Sequence, residues 1–323
     1  MQQPLPPALL IAGPTASGKS ALALAVAARL GAATIVNADS MQVYRDLRVL
    51  TARPTPAEEA RGPHALYGIR DAAEPASAAW WRGEALAAMA AAGGVPILCG
   101  GTGLYFQALT RGLAPMPAVP EAVRAEARAL LDAIGPAALH ARLAAADPDT
   151  AATLRPGDSQ RLARAWEVWQ ATGRGLLSWR REPAGPPPPW RFLAIRLDPP
   201  RDELRAAIRA RWAAMLRDGA TEEVRALLAR NLDPALPAMR AHGVPELRAV
   251  LQGRSTPDQA GERACLAIGQ YTKRQATWFR HHPLLPDGAD PSGTHMIHAR
   301  FTDHAQLSES LMGEILRFVE AGR

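Results

Sequence analysis

Apolar positions along the chain fall into two rhythms. Short unbroken runs, "ALLIA" (Ala8 to Ala12), "ATIVN" in a stretch that ends at Asp39, and "VPILC" (Val95 to Cys99), read as buried strands. Longer segments with apolar residues three and four apart read as helices: Lys19 to Leu30 with Gly31 placed to cap it, and a second from about Leu104. From Pro117 to about Ser178 the pattern is helical and rich in arginine, and the proline-dense "EPAGPPPPW" (Glu182 to Trp190) can form neither helix nor central strand. "RFLAIRLD" resumes strand character, and a long helix opens after Pro200 and stops at Gly219. Beyond His282 the chain reads as loop-rich, with a last helix over His304 to Ala321. Strands alternating with helices predict an α/β fold, a parallel doubly wound sheet flanked by helices. The expected organisation is a core of residues 1–117 and 191–282, a helical insertion over 118–190 and a tail over 283–323.

Chemistry enters at the strand ends, where ligands bind in sheets of this kind. Gly13, Pro14, Thr15, Ala16, Ser17, Gly18, Lys19 and Ser20 spell a phosphate-cradling loop between a strand and a helix, which makes the core P-loop NTPase-like. Its backbone amides and helix dipole favour an anion, Lys19 adds a full charge, and the Ser20 hydroxyl is a candidate Mg²⁺ ligand. Asp39, at the end of the second strand, reads either as a cap or metal-shell carboxylate or as a general base facing the phosphate site. Ser40 and Gln42 behind it could read the edge of a base. Gly100 to Thr102 combine close backbone approach with one hydroxyl. Arg161 and Arg164 share a helical face beside Trp166 and Trp169, and "QYTKRQATWFRHH" interleaves Lys273, Arg274 and Arg280 with aromatics, as single-strand binders do. His281 and His282 lack metal-ligand spacing.

Composition narrows the setting. The formal net charge is +6, which favours an anionic partner, and Lys19 and Lys273 are the only lysines in an arginine-rich chain. Cys99 and Cys265 are too few for a disulfide framework and read as reduced core thiols. No apolar run is long enough to span a bilayer and no charged-then-apolar leader opens the chain, so a soluble, cytoplasmic protein is expected. On these features alone the loop could serve an ATP-dependent kinase, a prenyl transfer to free adenine nucleotides, or an RNA-modifying enzyme. The long basic insertion argues against both small-substrate uses.

Taken together, "GPTASGKS", "NADSMQVYR", "TARPT", "VPILCGGTGLYFQALTRGL", "DSQRLARAWEVWQATG", "RWAAMLRDGATEEV" and "QYTKRQATWFR" resemble the tRNA dimethylallyltransferase family from residue 8 to about residue 282. The resemblance implies that the loop holds the diphosphate of dimethylallyl diphosphate with Mg²⁺, as a leaving group. It implies Asp39 as the base on the N6 amine of adenosine-37, Thr102 near the reacting centre and Arg211 on the diphosphate. It also implies tRNA contacts from Asp39, Ser40, Met41, Gln42, Thr102, Arg124, Gln160, Arg161, Leu162, Ala163 and Arg164, to which the basic run adds Lys273 and Arg274. The partners are then the tRNA anticodon stem-loop and dimethylallyl diphosphate, with a monomer expected. Three departures from the family pattern stand out: Leu50 in place of a glycine, "PHALYG" (Pro63 to Gly68), and "AHGVPEL" (Ala241 to Leu247).

Overall fold

Successive residues of each central strand divide between two apolar layers, as the period of two demands. In β1 (Pro7–Ala12), Ala8, Leu10 and Ala12 enter one layer while Leu9 and Ile11 enter the other. β2 (Ala33–Asn37), β4 (Val95–Gly100) and β5 (Arg191–Leu197) behave alike, while β3 (His64–Ala65) and β6 (Thr294–Ile297) are short edge strands. The order is β3-β2-β4-β1-β5-β6, and every pairing is parallel. The computed structural model of the chain describes residues 5–185, 187–302 and 307–321.

Those residues form two compact units, one of Met1–Arg111 with Pro187–Arg323 and the other Gly112–Pro186. In the first unit α1 (Lys19–Leu30) follows the phosphate loop, α2 (Pro56–Glu59) connects β2 to β3, α3 (Ala78–Ala90) connects β3 to β4, and α4 (Gly103–Arg111) follows β4. In the helical unit α5 (Glu121–Ala146) breaks at Gly135, φ 76°, beside Pro136, and is followed by α6 (Pro148–Ala152), α7 (Ser159–Thr172) and α8 (Leu176–Arg180). Leu139, Leu143, Leu162 and Trp166 make its own apolar core. Back in the first unit come α9 (Arg201–Arg217), α10 (Ala220–Ala229), α11 (Val244–Leu251), α12 (Pro257–His281) and α13 (Glu309–Glu320).

Two boundaries move from where the hydrophobic pattern put them. The helical unit begins at Gly112, whose positive φ of 78° ends α4, and Trp190 belongs to the core, packed against its larger apolar cluster. The tail is not merely loop and helix: β6 adds a sixth strand beside β5, from Ala194 opposite Thr294 to Leu197 opposite Ile297. α13 buries Met312, Ile315 and Val319 in the layer that also holds α1. Its described start is Glu309; the expected first residues, from His304 to Gln306, lie outside the described residues. Both cysteines are free thiols, Cys99 buried on β4 and Cys265 only half-buried on α12. Among the described residues no helix is long and apolar enough to cross a membrane.

Candidate active site

The loop from Gly13 to Ser20 leaves β1 and turns into the first turn of α1, so its amides and the helix dipole converge on one spot. Two residues carry left-handed backbone: Ala16 at φ 67° and Gly18 at φ 89°. Only glycine fits at 18, because a Cβ there would overlap the Phe301 carbonyl. Lys19 Nζ donates to Pro14 O at 3.4 Å, folding the ammonium over the loop. Ser17 Oγ is fully buried without a hydrogen-bond partner, which costs free energy.

Asp39 stands just past β2 and is held from both sides. Its amide donates to Asn37 Oδ1 at 2.9 Å, and its Oδ1 accepts from the Met41 amide at 2.9 Å. Asn37 is itself buried and ties the Asp39 and Leu66 carbonyls together through Nδ2. Lys19, Ser20, Asp39, Arg211, His242 and Tyr271 border a single cavity, with Leu50, Trp212 and Met215 supplying apolar wall. Burial pulls the Lys19 ammonium below its ordinary pKa and the Asp39 charge opposes that shift; Arg211 is lowered for the same reason, again opposed by Asp39. Two half-desolvated cations thus face one carboxylate, an arrangement that rewards a bound anion.

Thr102 serves the frame rather than the cavity wall, while Gln42 and Arg211 tie the frame together from the wall itself. Thr102 Oγ1 accepts from the Ser40 amide at 2.9 Å and donates to Ser40 Oγ at 3.3 Å, locking the turn after β4 to the Asp39 turn. Gln42 Nε2 donates to Thr51 O and Ala52 O, both at 2.9 Å, and Arg211 Nη2 reaches Thr51 O at 3.1 Å. The Glu223 carboxylate accepts from the amides of Arg48, Val49 and Leu50 at 2.6, 2.7 and 2.9 Å, fixing the turn that carries this wall. Leu50 packs over Gly243, so two of the three departures from the family pattern meet in one contact.

Four residues escaped the sequence reading. Gln275, buried on α12, accepts from Thr15 N at 2.8 Å and Thr15 Oγ1 at 3.2 Å, and donates to Gly101 O at 2.9 Å. Tyr271 and His242 lie with ring centroids 5.2 Å apart. Burial, with the Asp39 charge adding, pushes the Tyr271 phenol up to about 12, so it stays protonated; burial lowers the His242 pKa, so its neutral ring is favoured. Arg300 Nε donates to Ala16 O at 2.9 Å. Gln275 and Tyr271 had a signal, their place inside the recognisable "QYTKRQATWFR" run, and His242 lay within the divergent "AHGVPEL" stretch.

In the helical unit, Arg161 and Arg164 pair loosely with Asp158 and Glu167 at 3.4 and 3.1 Å, and Arg124 with Glu121 at 3.6 Å. Arg180 joins them: burial lowers its pKa, and the Arg161 and Arg164 charges lower it further. The three guanidiniums thus lie close enough on this unit for their charges to repel one another. Gln160 is exposed beside them. Leu162 and Ala163 are buried, so their side chains face the core, and Trp166 is core too, with Arg142 over its ring at 5.2 Å. In the first unit Lys273 is exposed and the Arg274 guanidinium lies 5.5 Å from the Tyr271 ring centroid.

Known proteins are similar to this one over nearly the whole chain. A family model for IPP transferase matches residues 42–282 and one for isopentenyl transferase matches residues 7–67; neither extends past residue 282. The tRNA dimethylallyltransferase of Granulibacter bethesdensis is 57% identical over 317 residues, covering 97% of this chain and 98% of its own. That of Gluconacetobacter diazotrophicus is 60% identical over 316 residues, covering 97% and 94%. Among solved structures, the tRNA isopentenylpyrophosphate transferase of Bacillus halodurans superposes with a TM-score of 0.68 at 28% identity, covering 98% of this chain and 97% of that one. A eukaryotic dimethylallyltransferase acting on tRNA shares the fold, with a TM-score of 0.75 at 24% identity over 96% of this chain and 78% of that one. The chain belongs to the IPP transferase family, alongside the tRNA dimethylallyltransferases.

Proposed function

We propose that the chain transfers a dimethylallyl group from dimethylallyl diphosphate to N6 of adenosine-37 in tRNAs reading codons that begin with U, giving N6-(dimethylallyl)adenosine. The observation that carries this reading is the single cavity bordered by Lys19, Ser20, Arg211 and Asp39, cationic phosphate cradle and carboxylate together. An exocyclic adenine amine is a weak nucleophile, so the electrophile has to be strong. The allylic C–O bond breaks with its electron pair leaving on the diphosphate. Lys19, Arg211 and the loop amides stabilise that growing charge, the largest catalytic contribution in reactions of this kind. The N6 lone pair forms the new C–N bond, and the Asp39 carboxylate takes the amine proton.

The donor set suits Mg²⁺. Ser20 offers one hydroxyl, and no cluster of three His, Cys, Asp or Glu side chains occurs among the described residues, so substrate phosphates and water would supply the remaining ligands, as this ion prefers. When bound, it neutralises charge on the diphosphate oxygens. Reaching the cavity requires the target base to leave its stack, at a cost of a few kcal/mol. The Arg161, Arg164 and Arg180 surface would hold the anticodon stem-loop by its backbone, with Arg124, Lys273 and Arg274 as further phosphate contacts. The reaction belongs in the cytoplasm, where tRNA is modified, with the chain acting as a monomer.

The test is to incubate the chain with labelled dimethylallyl diphosphate, Mg²⁺ and unmodified tRNA. Label in adenosine-37 of the tRNA supports the proposal. Label appearing only in free adenine nucleotides would sink it, as would phosphate transfer from ATP without prenylation.

A further inference from the structure

The last part of the chain, beyond both matched family regions, closes on the phosphate loop. Phe301 N donates to Ser17 O at 3.0 Å, and Arg300 Nε donates to Ala16 O at 2.9 Å. These are consecutive peptide planes of the loop. In a trans peptide the C=O and the following N–H point opposite ways. Holding the Ser17 carbonyl toward Phe301 therefore turns the Gly18 N–H to the other side of that plane, and holding the Ala16 carbonyl orients the Ser17 N–H toward Pro14 O, 3.2 Å away. Ala16 has φ 67°, unfavourable for a residue with a side chain, so its peptide needs an outside restraint to stay in place.

The segment that supplies the restraint is itself anchored on the sheet and on the helix after the loop. β6 pairs with β5 just before Arg300, and His295 Nε2 lies 3.1 Å from Glu314 Oε2 of α13. The Phe301 side chain is buried in the same apolar layer as α1 and α13. Arg29 of α1 forms an ion pair with Glu309 at 2.7 Å.

We infer that the C-terminal segment is a clamp that presets the phosphate loop for diphosphate, with Arg300 as its positioning residue acting through the Ala16 carbonyl. This rests on the proposed use of the loop as a diphosphate cradle. A relaxed loop would still reach the native fold, but its amides would no longer converge without an ordering cost at binding.

The experiment compares the full chain with Arg300→Ala and Arg300→Lys. Three quantities are read: the dissociation constant for inorganic diphosphate with Mg²⁺ by calorimetry, steady-state constants for dimethylallyl diphosphate, and tRNA affinity by filter binding. Arg300→Ala is expected to raise the diphosphate dissociation constant and the KM for dimethylallyl diphosphate roughly tenfold, the loss typical of one charge-assisted hydrogen bond. tRNA affinity should stay unchanged, and Arg300→Lys, which keeps one donor, should recover most of the loss. Unchanged diphosphate affinity in Arg300→Ala overturns the clamp while leaving the cradle standing. Equal losses for diphosphate and tRNA also overturn it, since they mark general damage. A parent chain that binds no diphosphate overturns the cradle and the clamp with it.

Discussion

Replacing Gln275 by leucine removes the link between the phosphate loop and the turn after β4 while nearly preserving volume. The native amide accepts from Thr15 N at 2.8 Å and from Thr15 Oγ1 at 3.2 Å, and donates to Gly101 O at 2.9 Å. The side chain is 4% exposed, so water cannot readily take its place. Each buried partner left unsatisfied costs about 1–3 kcal/mol; Thr15 is only half-buried and its hydroxyl can rotate away. Taking the low end for Thr15 and the middle for Gly101 gives a loss of about 3 kcal/mol in unfolding free energy. The functional loss is separate. Gly101 is next to Thr102, which fixes the Asp39 turn through Ser40, so Gln275 sets the register between Lys19 and Asp39. A misplacement of about 1 Å between reacting groups can cost a hundredfold in rate, and kcat should fall by about 10- to 100-fold. Gln275→Glu keeps the Thr15 bonds but sets an oxygen against Gly101 O, and should lie between parent and Gln275→Leu. Urea unfolding and steady-state kinetics at saturating substrates read the two effects. A Gln275→Leu chain within about 0.5 kcal/mol and twofold in kcat of the parent would refute the reasoning.

Asp39→Ala should abolish turnover while tRNA affinity holds within about threefold; near-normal turnover would remove the carboxylate from the chemistry. Arg180→Ala should weaken tRNA binding and flatten the slope of log affinity against log salt by about 0.9 or less, the share of one phosphate contact, and an unchanged slope would take Arg180 off the RNA surface. His242 gives a pH signature. Its folded pKa lies below the ordinary 6.5 because burial disfavours the imidazolium and Arg274 adds to this, against Glu246 and Asp39. Its stabilising contribution is therefore present above pH 6.5 and is lost as pH falls through that value toward the folded pKa. His242→Asn should narrow the drop in thermal midpoint between pH 7.5 and lower pH; an identical drop would contradict the assignment.

What could be read from the sequence was local. The phosphate loop is eight consecutive residues between a strand and a helix, so a linear pattern captures all of it, and Lys19 to Leu30 forms the helix that the apolar spacing predicts. Asp39 was legible because strand ends carry ligands in this kind of sheet. Residues that hold the site together were not, because their partners lie far along the chain. Gln275 looks like any polar helix residue until its bonds to Thr15 and Gly101 are seen, and Arg300 sits in a stretch without periodicity. β6 has four residues with only partial burial, too little alternation to announce a strand. Leu162 and Ala163 enter as tRNA contacts only through the family resemblance, and their burial, which no run of neighbouring residues announces, leaves their backbone as the part that could make one.

The bonds from Thr15 to Gln275 and from Ala16 to Arg300 span 260 and 284 residues. Contacts that distant are closed late, because loop-closure entropy must be met before they form. During synthesis at about 5–20 residues per second, the phosphate loop leaves the ribosome tens of seconds before the partners that fix it. The helical unit, whose core lies within Gly112–Pro186, can form in that interval. A growing or truncated chain would therefore present an arginine surface before it has a competent catalytic centre. Under the proposed clamp, chemistry would wait on the residues around Gln275 and Arg300, far along the chain from the loop they fix.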